Sequence, residues 1–90
     1  MPYIKQESRK DIDVALDLLL EILSLHHKDD LDSATTYVLY SLMIGLFSRG
    51  SSWRIKSEPL KILEDVKLEY YRKILAPHAD KKIKENGAIL

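Results

Sequence analysis

Residues 35–47 read TTYVLYSLMIGLF, an apolar run with almost no polar face, and no other stretch constrains the fold of this chain so tightly. A helix of that kind is either the buried centre of a domain or leaves an apolar side for a partner. It does not read as a membrane span: the stretch from Tyr37 to Phe47 is interrupted by Ser41 and Gly45 and falls short of the ~20 residues a span needs.

The flanking sequence fits further helices. Three glycines and three prolines in 90 residues leave little turn material for the hairpins of a sandwich or barrel. The pattern predicts a first helix from Ser8, with Ser8 and Asp11 as a capping box, to about Leu25. Ile12, Ala15, Leu16, Leu19, Leu20, Ile22 and Leu23 form its apolar stripe, and Asp13, Asp17 and Glu21 an acidic ridge at i, i+4 spacing. A polar connection, HHKDDLD, leads to a second helix over about Ser33 to Arg49, capped by Asp32 or Ser33 and stopped by a left-handed Gly50.

After a loop over residues 50–57, Ser57 is expected to cap a third helix from Glu58, with Pro59 in its first turn. This helix is expected to stop at Leu75 because Pro77 disfavours the helical conformation at Ala76. Leu60, Leu63, Val66, Tyr70 and Ile74 give it a stripe close to a heptad seam. Residues 77–85 suit a short fourth helix or tail, ended by Asn86 and Gly87. The expected fold class is all-α: one domain, an antiparallel three-helix bundle with a short C-terminal fourth helix or tail.

Charge and composition narrow the function classes. Fourteen basic residues balance fourteen acidic ones, yet residues 1–45 carry a net −4 and residues 46–90 a net +4. A neutral chain lacks the Lys/Arg excess that drives nucleic-acid binding, and residues 33–49 are not the basic recognition helix of a helix-turn-helix. The opposed halves either neutralise each other within one fold or meet across two copies. The absence of cysteine excludes disulfides and thiol chemistry. Without an apolar leader after MPYIKQESRKD, a cytoplasmic setting is expected.

Several segments resemble a small family of uncharacterised phage and prokaryotic proteins of about this length. Met1 to Ile4 match its MPYI opening, and Asp30, Leu31 and Asp32 approximate the acidic–Leu–Asn start of its second helix. Lys67 to Arg72 match its Lys-Leu-Glu-aromatic-Tyr-Arg run. Ala76, Pro77, Asp80, Lys81, Lys82, Glu85, Asn86 and Gly87 match its C-terminal pattern. His78, Ala79 and Ala88 depart from it, standing where the family has Tyr, Glu and Asp, and residues 37–57 are not covered. The resemblance implies a genuine compact domain and no particular chemistry.

Candidate sites follow from residue type. His26 and His27 with Asp29, Asp30 and Asp32 offer metal-ligand atoms, but adjacent histidines do not converge on one ion, so no metal or cofactor is expected. Tyr71, Arg72, Lys81 and Lys82 are the candidate ligand-binding set for an anionic molecule such as a nucleotide; otherwise Arg72 pairs with Asp13 or Asp17 while Tyr70 packs in the core. Trp53, in a polar loop, serves either as an interface anchor or as a plug at the bundle end. With Tyr37, Tyr40, Ile44 and Phe47 it makes up the candidate interface.

No nucleophile–base ordering, phosphate loop or zinc motif is present, so no catalytic residue is assigned and enzyme activity is not expected. The expected role is a protein-interaction module that forms a dimer with itself and occupies an unidentified protein. An oligomeric binder of an anionic small molecule is the alternative.

Overall fold

At several helix ends, single hydrogen bonds and not apolar periodicity alone accompany the point where the helix begins or stops. The computed structural model describes residues 3–89; Met1 and Pro2 of the MPYI opening lie outside the described residues. A 3₁₀ turn at Gln6–Ser8 precedes α1 (Lys10–His26), α2 (Leu31–Phe47) and α3 (Trp53–Tyr70). A π-helical turn at Tyr71–Leu75 then leads directly into α4 (Ala76–Asn86). There is no strand among the described residues, and the chain is all-α.

The chain divides into two units, residues 3–57 and residues 58–89. In the first, Arg9 grips the N-terminal segment by donating from Nε and Nη2 to the Ile4 carbonyl, at 3.1 and 2.7 Å. The expected capping box is not formed. The Ser8 amide donates to Lys5 O at 3.0 Å in the 3₁₀ turn, which places Arg9, not Ser8, at the cap position. The Asp11 carboxylate accepts the neighbouring Ile12 amide at 2.9 Å instead of reaching back.

The helix α2 starts earlier than expected, at Leu31, with the Ala34 amide donating to Asp30 O at 2.9 Å. Asp32 and Ser33 lie inside the helix and do not cap it. Asp30, at the cap position, makes no side-chain cap bond; its carboxylate faces His27 Nδ1 at 3.1 Å. Half-buried Leu19 and Leu23 on α1, and Ala34 and Val38 on α2, sit on either side of this short elbow, and the two helices contact one another as a helical hairpin.

The end of α2 also differs from expectation. The helix closes at Phe47 and not Arg49; at the cap position the Ser48 amide makes the last i→i−4 bond, to Ile44 O at 3.3 Å, and its hydroxyl donates to the same carbonyl at 2.6 Å. Gly50 is not left-handed, since Gly87 alone among the described residues has positive φ. Gly50 is needed for space: a Cβ there would fall within the Ile55 side chain.

Residues 53–57, expected in a loop, are already helical because Ser52 provides the cap in place of Ser57. Ser52 Oγ accepts the Ile55 amide at 3.2 Å and its carbonyl accepts the Lys56 amide at 3.2 Å. Ser57 is thus internal, its hydroxyl donating to Arg54 O at 3.2 Å, and Pro59 is a buried residue inside the helix and not in its first turn.

The second unit corrects the expected stop before Pro77. The Ala76 amide donates to Tyr71 O, an i→i−5 bond, and Ala76 is helical at φ −62°, ψ −46°. In an α-helix the Pro77 ring would press on the carbonyl four residues back; the wider π turn relieves that clash and lets the helix continue. Gly87, at φ 85°, ends α4 as expected, its amide donating to Ile83 O at 2.7 Å.

Candidate interaction surface

The helical positions place most large apolar side chains in solvent. Among the described residues no large apolar side chain is buried. On α2, Tyr37 is 72%, Tyr40 61% and Leu46 70% exposed, and Leu39, Leu42 and Ile44 are also exposed. At 3.6 residues per turn, Tyr37, Tyr40 and Ile44 form one stripe and Leu39, Leu42 and Leu46 a second on a different side. Phe47, of the expected interface set, is half-buried.

A large side chain carries roughly 200 Å², so each of the two α2 stripes leaves on the order of 300 Å² accessible, on opposite sides of the helix. Monomeric soluble proteins rarely expose contiguous apolar patches above a few hundred Å². Burying one stripe would be worth on the order of 8 kcal/mol at ~25 cal/mol per Å², before the entropy of association is subtracted.

Two grooves extend the apolar surface, one in each unit. The first, about 390 Å³, lies at the α1–α2 elbow between Leu19, Ile22 and Leu23 on one side and Ala34, Tyr37 and Val38 on the other, with His27 and Asp30 at its polar end. The second, about 530 Å³, runs along α3 and the π turn between Leu63, Val66, Leu68, Tyr70, Tyr71 and Leu75. Tyr70, expected in the core, is instead exposed on the wall of this second groove, because within residues 58–89 the only other helix, α4, follows end-on and covers nothing beside it.

Trp53 projects from the first turn of α3, 84% exposed. Val14, 73% exposed, with Leu18 and Leu25, extends the apolar surface to the flank of the acidic ridge on α1. These three escaped the sequence reading because they lie off the stripe of the first helix; their spacing of four and seven was the signal for them.

The candidate ligand residues are arranged differently. Arg72 Nη2 donates to Glu69 Oε1 at 2.6 Å, one turn back on the same helical run. Tyr71 lines the apolar groove, which does not include Arg72, Lys81 or Lys82. Lys82 reaches Glu85 at 3.5 Å and Lys81 is exposed on α4. Among the described residues no group of three or more His, Asp or Glu is placed to hold a metal ion, and no helix is long and apolar enough to cross a membrane.

No curated protein and no solved structure matches the chain. A family model does match, over residues 1–89, and by it the chain belongs to the family described as a domain of unknown function, DUF6899.

Proposed function

We propose that this chain is a small, non-catalytic protein-interaction module that associates with itself through the apolar surface of α2 or the stripe of α3, and acts by occupying another protein. One observation carries the reading: Tyr37, Tyr40 and Leu46 stand in solvent on a helix whose sequence offers no polar face. Such a surface costs solubility unless a protein covers it. The resemblance to phage proteins points to a modulator or inhibitor of a host protein in the cytoplasm, by analogy with how small phage proteins work by blocking surfaces.

Light scattering on the purified chain tests the first half of this reading, with a mass above that of the 10.4 kDa protomer expected. Replacing Tyr40 and Leu46 by Glu should return the mass to that of one protomer. A pull-down with the wild-type chain and the double variant tests the second half, and a monomer that retains nothing from lysate would overturn both.

A further inference from the structure

From Glu58 onward α3, the π turn and α4 follow end to end as one helical rod, and no other helix of residues 58–89 lies beside it. Its apolar residues gather around one groove, lined by Leu63, Val66, Tyr70, Tyr71 and Leu75. Ile74 follows Tyr70 at one turn's spacing, and Ala79 and Ile83 continue from Leu75 at intervals of four. Val66, Tyr70, Tyr71, Ile74 and Leu75 are 48–58% exposed. At roughly 200 Å² per large side chain they leave on the order of 500 Å² accessible along the rod. Charge divides the rod near the same place: residues 58–69 carry four acids and two lysines, a net of −2, and residues 70–86 five bases and two acids, a net of +3.

Resting on the self-association reading above, we infer that this groove is the contact, and that its occupant is the same rod of a second copy, laid antiparallel about a two-fold axis near Tyr71. The groove sits close to the middle of the rod, so under such an axis each copy's groove meets the other's. Residues equally far from Tyr71 on either side then face each other. Leu63 falls opposite Ala79 and Val66 opposite Ala76, large against small, as closely packed helices need. Glu58 falls opposite Lys84 and Glu69 opposite Lys73. A parallel pair would set Lys81, Lys82 and Lys84 beside their own copies, so charge selects the antiparallel order. Two copies together bury on the order of 1,000 Å², the size a specific interface reaches, whereas one α2 stripe offers less.

The chain has no cysteine, so single introduced cysteines report the register. A chain with Leu63→Cys mixed with one carrying Ala79→Cys should form an intermolecular disulfide at least about tenfold faster than either chain alone, read on non-reducing gels. The antiparallel order sets those two positions opposite each other. Like positions then sit ~24 Å apart at ~1.5 Å per residue, beyond the ~7 Å between Cα atoms that a disulfide spans. Tyr71→Cys, at the axis, should link to itself.

Faster linkage of either chain alone, as a parallel pair gives, or a mixture no faster than its components, overturns the register. Tyr70→Glu with Ile74→Glu should weaken self-association at least about tenfold, read by analytical ultracentrifugation. A dimer indifferent to that pair overturns the groove as the contact and leaves self-association standing. A wild-type chain monomeric up to about 100 µM overturns both. Should the glutamate chain lose its helicity, the cysteine pair, which leaves Tyr70 and Ile74 in place, decides alone.

Discussion

The Ala76 amide donates to the carbonyl of Tyr71, five residues back, immediately before Pro77. The π turn carries the helix past a proline that would otherwise end it, and the extra residue turns α4 by about 100° relative to an unbroken α-helix. Pro77→Ala should let the turn relax to α-helical hydrogen bonding. The expected outcome is a gain of about 1 kcal/mol in stability by thermal circular dichroism, a part of the ~3 kcal/mol an interior proline costs.

Gly50 and Ile55 make a second local constraint. Gly50→Ala places a methyl group inside the Ile55 side chain and should cost about 1–3 kcal/mol, as overpacking does. Combining it with Ile55→Ala should recover part of that loss, a coupling that chemical denaturation of the four chains in a double-mutant cycle measures directly.

Ser52→Ala removes the acceptor for the Ile55 amide and should lower stability by about 1 kcal/mol, the usual worth of a serine cap. Ser57→Ala, at the position the sequence favoured as the cap, should change stability by less, because that hydroxyl bonds a carbonyl within the helix. Urea titrations of the two variants rank them.

Trp53 is the only tryptophan, so its fluorescence reports its surroundings alone. In a dilute protomer the indole should emit as a solvated group. If α3's first turn joins the interface, emission should shift to the blue with rising protein concentration, and Trp53→Ala should weaken association with little effect on the helicity of the chain. Emission independent of concentration while the mass increases would place Trp53 outside the contact.

Nucleotides should leave the melting temperature of the wild-type chain unchanged, since Arg72 is engaged by Glu69 and the groove beside Tyr71 is apolar. A thermal shift that Arg72→Ala abolishes would favour the anionic-ligand alternative instead.

The helices were legible from apolar spacing because side chains repeat with the turn of the backbone, and so was the excess of greasy surface on the second helix. The ends were less so. Ser8, Asp32, Ser33 and Ser57 all have capping chemistry, but which hydroxyl or carboxylate caps depends on the exact phase at which the backbone enters the helix. At the third helix the entry came five residues early, at Trp53, because Ser52 was within reach of the Ile55 amide. Pro77 misled for another reason: its rule assumes a four-residue hydrogen-bond ladder, and the chain changed the ladder. Tyr71, Arg72, Lys81 and Lys82 share polar or cationic character, but proximity along a helix does not bring them into one groove.

With no large apolar side chain fully buried among the described residues, a solitary copy uncovers less apolar surface on melting than a well-packed domain of its size. Its unfolding should be shallow, with a small denaturant slope and a small heat-capacity step. Steep, cooperative melting would then belong to the assembly, and its midpoint would climb with concentration.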